Sequence, residues 1–324
     1  MSIFSSIETI FTVLNTNKEF FVFLLLINSL FLYFFEKISS YINITDKPDN
    51  IRKFEKNNTP LLGGVLIFIN ITILTLYTVV YYSDNSINTL FKNFRELYSF
   101  YITSAFIFMI GVYDDKYSLK PNTKFIYLSI ILLTALLIDN NLSLEVLKVD
   151  FLSRLIPLYD VSIFFTLFCL LLFINALNMF DGINLQVGIY VLLLLLFFLL
   201  NKILVFLCLC LLLPIFIFLI LNYKGKSYLG DNGSLLLAYI LGYICIKSYN
   251  QNIISDIDTI FVIMMIPGLD MLRLFISRIM QGKNAFHPDL NHIHHIFQKL
   301  YGSKSVVIIQ LLISIPAFTY LFVY

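Results

Sequence analysis

Apolar runs long enough to cross a bilayer recur along this chain, and that recurrence restricts its fold more than any motif does. A hydrocarbon core of ~30 Å takes about 20 residues of helix. In that core each backbone N–H and C=O must be paired, which leaves helices or a closed barrel as the spanning forms. Ten spans can be laid out, at 19–36, 61–82, 97–113, 124–138, 160–177, 185–200, 203–221, 233–248, 257–276 and 305–323. The run 185–221 is too long for one crossing and is cut at Asn201-Lys202. With 59% hydrophobic and 13% charged residues and a mean hydropathy of +0.86, a soluble domain of this size is excluded. The expected fold is all-α and polytopic, one integral-membrane domain over 1–324 with about ten transmembrane helices.

Lys and Arg set the orientation. With the N-terminus outside, the segments 37–60, 114–124, 178–184, 222–232 and 273–304 face the cytoplasm and hold 15 of the 22 basic residues; the other side holds 7. The expected arrangement is N-out and C-out, with the polar motifs below on the cytoplasmic face of a plasma membrane. Outside, Leu142-Ser-Leu144-Glu-Val146 and Val149-Asp-Phe151 alternate with period two, the pattern of a short β-hairpin. The first apolar stretch lacks a basic leader and a small-residue cleavage site, so it is expected to be retained. Cys169, Cys208, Cys210 and Cys245 lie in apolar runs without metal-ligand spacing and receive no role. A net charge of +2 carries no nucleic-acid signal, and no such partner is expected.

Four polar motifs stand out against this background. Asp114-Asp115 closes the third span; two touching carboxylates repel unless a divalent cation or a basic partner lies between them. A solvated helix end flanked by Lys116, Lys120 and Lys124 is the other reading. Asn175, Asn178, Asp181 and Gly182 step along one face of a helix at 100° per residue, which is costly at a membrane boundary unless they line a polar site. Gly230-Asp231-Asn232-Gly233-Ser234 opens a span, with glycines exposing N–H groups at a helix start that suits phosphate. Asp231 fits that role only with a bridging metal, or else serves as a plain N-cap. All four histidines fall between His287 and His295, preceded by Arg278 and Lys283. No Cys or Glu completes a zinc set there, so the cluster reads as a cationic or hydrogen-bonding clamp for diphosphate. Gly63-Gly64 opens the second span and permits close helix packing.

Taken together, Asp114-Asp115, Asn175…Asn178…Asp181-Gly182, Leu229-Gly230-Asp231-Asn232-Gly233-Ser234 and Asn291-His292-Ile-His294-His295 resemble the polyprenyl-phosphate N-acetylhexosamine-1-phosphate transferases. The Pro288-Asp289…Asn291-His292 form is similar to the WecA/TagO branch rather than the MraY branch. The resemblance implies transfer of a sugar-1-phosphate from a UDP-sugar to undecaprenyl or another polyprenyl phosphate, with release of UMP and a requirement for Mg²⁺, or Mn²⁺ in its place. It implies Asn178 and Asp231 as metal ligands and Asp114 and Asp115 at the acceptor phosphate, one of them a candidate base. Lys124, Asp181 and Asn184 would face the nucleotide, with Asn175 and Gly182 in the same substrate-binding stretch. Arg278 with His292, His294 and His295 would face the diphosphate. A homodimer is left open.

The chain departs from the family pattern at three places. Asp-Gly-x-Asp-Gly appears as Asp181-Gly182-Ile-Asn184-Leu185, an expected Arg is Leu290, and an expected His is Phe54. Two other classes compete. A transporter or flippase would carry ionisable groups near mid-membrane, whereas these spans are nearly free of charge. An idle member of the family would draw support from the departures alone.

Overall fold

The computed structural model describes residues 3–46, 58–81, 91–282, 292–302, 305, 308 and 309. The described chain is helical almost throughout. Its helices are α1 (Ile3–Thr16), α2 (Lys18–Tyr33), α3 (Phe35–Ile42), α4 (Gly63–Val80), α5 (Phe94–Tyr117), α6 (Pro121–Ile138), α7 (Ser162–Phe180), α8 (Gln186–Leu200), α9 (Val205–Tyr223), α10 (Gly230–Asn250), α11 (Ile257–Met280) and α12 (Ile293–Tyr301). Among the described residues, five segments are long and apolar enough to cross a membrane: Gly63–Val80, Phe94–Tyr117, Pro121–Ile138, Tyr159–Phe180 and Val205–Tyr223. The number rises to seven if each of two bent pairs, Phe4–Tyr33 (80°) and Ile257–Met280 (68°), is one span. The protein is therefore a multi-pass membrane protein.

Nine of the ten expected spans coincide with a helix; the tenth, 305–323, lies outside the described residues apart from three positions. The long run 185–221 is interrupted by the turn Asn201–Leu204, so α8 and α9 are separate helices that pack on each other. One helix was not anticipated. α1 carries Ser5, Ser6, Glu8, Thr9 and Thr12 and is too polar to read as a crossing, yet it docks through Ser6 Oγ, which donates to Leu200 O at 2.6 Å.

α10 is the axis of the bundle. Every residue from Asn232 to Tyr249 is buried, the condition of a helix apolar all round. It packs most extensively on α5 and further on α7 and α4. α5 and α10 run antiparallel, because Asp115 near the end of one meets Asp231 at the start of the other, while Glu96 and Lys247 meet at the far end. That far end is closed by a buried ion trio. Lys247 Nζ lies 2.8 Å from Asp139 Oδ2 and 3.1 Å from Glu96 Oε2, and all three side chains are at most 3% exposed. Asn141 Nδ2 donates to Glu96 Oε1 at 2.7 Å, and Asn93 caps α5 through Glu96 N at 2.9 Å. Buried charges persist only when paired and bonded in this way; the trio ties the ends of α5, α6 and α10 together.

The expected hairpin exists but sits elsewhere in the sequence. Its strands are β3 (Val146–Val149) and β4 (Arg154–Pro157), antiparallel with Val149 opposite Arg154. Leu142 instead ends a short 3-10 turn over Asn140–Leu142, and Phe151 falls in the β-turn. The alternation at 142–146 reflects Leu142 and Leu144 pointing into the core rather than strand pairing. At the other end of the bundle, β1 (Thr45–Asp46) and β2 (Thr59–Pro60) form a two-residue ladder. It leads into α4, whose first N–H donates to Tyr228 O at 3.1 Å.

Candidate active site

The site forms where the end of α5, the starts of α6 and α10 and the last turn of α7 converge, and small residues make that convergence possible. A Cβ on Gly111 would overlap the backbone of Asn232 and lie 2.7 Å from Asp231 C. One on Gly64 would overlap the Asn232 side chain, and one on Gly233 would lie 2.9 Å from Gly64 N. The close packing expected of Gly63-Gly64 is thus directed at the first turn of α10. Gly230 turns the chain into that helix with φ +71°, a left-handed conformation that glycine adopts without strain.

At the centre stands Lys124 Nζ, 2.8 Å from Asp114 Oδ2, paired with Asp231 Oδ2 and 3.3 Å from Asn178 Oδ1. Asn178 Nδ2 donates to Asp231 Oδ1 and to Ser234 Oγ, each at 2.8 Å. Asp114 Oδ1 accepts from Leu119 N at 2.6 Å, which fixes the carboxylate as the chain leaves α5. Residues from four helices therefore place three side-chain oxygens around one ammonium. The Asp231 side chain remains 33% exposed, against 10% for Asp114, so Asp231 is the carboxylate open to a ligand.

Asp115 does something the sequence reading did not include. Its oxygens accept from Asp231 N at 2.8 Å, Asn232 N at 3.0 Å and Asn232 Nδ2. The N–H groups expected to receive phosphate at the start of α10 are taken by this carboxylate, which caps the helix from α5. Asp115→Asn will replace an acceptor by a donor facing those N–H groups. The thermal midpoint of the purified protein is expected to fall by an amount equivalent to about 1–3 kcal/mol, with activity falling alongside it. Lost activity with an unchanged midpoint would return Asp115 to a purely chemical role.

The Asn175–Gly182 stretch needs correcting as a helical face. α7 ends at Phe180, and Asp181 is its C-cap with φ −78° and ψ 63°, so Asp181 and Gly182 leave the face that carries Asn178. Asp181 N still donates to Asn178 O at 3.3 Å. Asn175 bonds back to Leu171 O at 2.7 Å within its own helix, apart from the cluster. Asn184 is half-buried in the connecting turn. Beside it, Leu185 adopts φ +71° where the family pattern has glycine, a conformation that costs an L-residue roughly 1–2 kcal/mol. Leu185 N donating to Asn222 Oδ1 at 2.6 Å holds it there.

Arg278 is buried at 4% exposure on α11. His292 is the N-cap of α12, and His294 and His295 lie on its first turn. Arg52, Lys53, Lys283 and His287–Asn291 lie outside the described residues. Sequence reading passed over Asp270 on α11. Its carboxylate is 3% exposed and 3.2 Å from His292 Nδ1, and its only signal is that of a lone buried acid inside an apolar run.

Comparison with known proteins picks out the same stretch of chain. The sequence model of glycosyl transferase family 4 matches residues 97–249, which contain Asp114, Asp115, Lys124, Asn178 and Asp231. An undecaprenyl-phosphate alpha-N-acetylglucosaminyl 1-phosphate transferase of Escherichia coli O157:H7 is 27% identical over 288 residues, 85% of this chain and 74% of that protein. The protein of the same name from Salmonella typhi is 25% identical over 307 residues, 90% of this chain and 80% of that one. A probable undecaprenyl-phosphate N-acetylglucosaminyl 1-phosphate transferase of Bacillus subtilis is 26% identical over 86% of this chain and 76% of its own length. The chain is thus similar to glycosyl transferase family 4 across the helices that build the site, and to these transferases along most of its sequence.

Proposed function

We propose that this protein transfers an N-acetylhexosamine-1-phosphate from a UDP-sugar to undecaprenyl phosphate at the cytoplasmic face of the membrane, releasing UMP. The observation that carries the reading is the Asp114–Lys124–Asp231–Asn178 cluster at the end of a membrane helix bundle. A lipid phosphate and a water-soluble nucleotide meet at such a boundary, and phosphoryl transfer asks chiefly for positioning and charge neutralisation. The excess of Lys and Arg on the loops at this end supports the cytoplasmic face.

The residues present fit a divalent cation. Asp231, Asp114 and Asn178 offer hard oxygens, and Mg²⁺ is usually held by one or two carboxylates completed by substrate phosphates. Such an ion would supply neutralisation of the diphosphate oxygens and of the departing UMP.

The remaining steps belong to the chain. An oxygen of the lipid phosphate forms a bond to the β-phosphorus of the donor as the bond from that phosphorus to the UMP oxygen breaks. The lipid diphosphate sugar and UMP result, with no proton required beyond those of the phosphates. Lys124 contributes a cation at that reacting group and loses its carboxylate contacts in part as phosphate oxygens arrive. Asp114, tied to Leu119 N, returns Lys124 to its place when product leaves. Asp181 and Asn184, just beyond Asn178, line the nucleotide side, and Asn184-Leu185 in place of Asp-Gly is where donor preference is set.

The test uses membrane vesicles of known orientation and the purified protein, with undecaprenyl phosphate, Mg²⁺ and a panel of UDP-sugars. UMP and lipid-linked sugar are expected in equal amounts from an N-acetylhexosamine donor, only from inside-out vesicles, and no turnover is expected in excess chelator. Turnover in right-side-out vesicles alone would reverse the orientation. No UMP from any donor would leave the protein an idle member of its family.

A further inference from the structure

We propose that Asp270 is the positioning residue of the histidine motif: its carboxylate caps α12 and holds His292 through Nδ1, so that the motif is delivered by the far half of α11. The proposal rests on the transferase reading above only for its effect on rate. The argument begins at Pro267. Proline lacks the N–H for an i→i−4 bond and its ring crowds the preceding turn. α11 accordingly bends there, Ile257–Met265 and Pro267–Met280 diverging by 68°. Asp270 lies one turn beyond the bend and is 2% exposed. A carboxylate buried in an apolar helix costs several kcal/mol unless its oxygens are bonded.

Its bonds lead mainly to one place. Oδ2 is 3.2 Å from His292 Nδ1, and Ile293 N donates to Oδ1 at 3.3 Å and Oδ2 at 3.4 Å. Both partners are more than 20 residues away and together form the start of α12. That helix has no side-chain cap of its own, since His292 is its N-cap and makes no capping bond. The first N–H groups of a helix need an outside acceptor, and a carboxylate there also complements the helix dipole. A histidine whose Nδ1–H points at a carboxylate is fixed in tautomer and ring orientation. His294 and His295 follow on the same turn, so the placement of α12 carries them too.

The competing explanation is local. Arg273 Nη2 lies 2.8 Å from Asp270 Oδ1 at spacing i, i+3, and Asp270 could exist for that pair. The Arg273 side chain is 43% exposed, however, and exposed pairs of this kind contribute little. A carboxylate kept dry for a half-wet arginine is poorly explained by that arginine.

The chain holds four histidines in all, so nitrogen NMR of [15N]histidine-labelled full-length protein in nanodiscs can resolve His292, assigned by its loss in His292→Asn. The expected wild-type signal is a protonated, hydrogen-bonded Nδ1. Asp270→Asn is expected to shift it and to lower kcat for UMP release by about 10- to 100-fold, while Arg273→Gln leaves the His292 signal in place. Asp270→Glu, which keeps a carboxylate, is expected to restore the bonded signal in part and serves if the amide variant fails to fold. An unchanged His292 signal in Asp270→Asn, or an equal shift in Arg273→Gln, overturns the proposal. A His292 shift in Asp270→Asn, where the wild-type protein never releases UMP, would instead overturn the transferase reading and leave the cap standing.

Discussion

Asp231→Asn is expected to lower kcat/KM for UMP release by about 10³-fold, the range seen when one pre-set electrostatic partner is taken from a reacting centre. The substitution keeps shape and changes polarity. Asp231 now accepts from Lys124 and from Asn178 Nδ2, whereas an Asn side chain has one acceptor and one donor end. Whichever way it turns, an NH₂ faces either the ammonium or another NH₂. The cluster of Asp114, Asp231 and Lys124 also loses its one excess negative charge, which weakens any divalent cation held there. Raising Mg²⁺ is therefore expected to recover only part of the rate, and the apparent KM for Mg²⁺ is expected to rise. Full activity of Asp231→Asn in excess chelator would remove the cation from the reaction altogether.

What could be read in the sequence was whatever a bilayer makes expensive. Polar residues such as Asp114, Asn178 and Asp231 stand out because each interrupts an apolar run, and their common side follows from counting spans. Pairing between distant positions leaves no such trace. Lys247 is tied to Asp139 across 108 residues and Asp231 to Lys124 across 107, and neither spacing belongs to a helix or strand period. Asp115 was visible as half of an acid pair, but its task as a cap for α10 depends on which helix end reaches it. Asp270 looks like an isolated charge until α12 is brought beside it. Leu185 is the clearest local conflict: the departure from the family pattern was legible, while the positive φ that gives the departure a cost belongs to the fold. α1 was passed over and the hairpin was placed a few residues too early, since Ser6 docks on Leu200 and Leu142 and Leu144 turn into the core through tertiary packing rather than periodicity.

One methyl group at Gly111 is expected to disable the enzyme by moving its site. The Cβ of Gly111→Ala would overlap Asn232 Cα and lie 2.7 Å from Asp231 C, both backbone atoms of the first turn of α10. No side chain can rotate to make room, so α5 and α10 must separate. Their far ends are held by the Lys247 trio, and the opening falls where Asp115 meets Asp231 N and Asn232 N. Overpacking of this kind costs about 1–3 kcal/mol, and a shift near 1 Å at a reacting centre costs on the order of 10²-fold in rate. Gly242→Ala supplies the contrast on the same helix. Its Cβ would meet Leu170 Cδ2 at 2.8 Å, the tip of a side chain that can turn aside, and nothing else closer than 3.9 Å. There the roughly 1 kcal/mol helix preference of Ala over Gly offsets the crowding, and activity and thermal midpoint are expected to stay near wild type. A Gly111→Ala enzyme as active as Gly242→Ala would mean that the contact between α5 and α10 does not set the geometry of the Asp114–Lys124–Asp231 cluster.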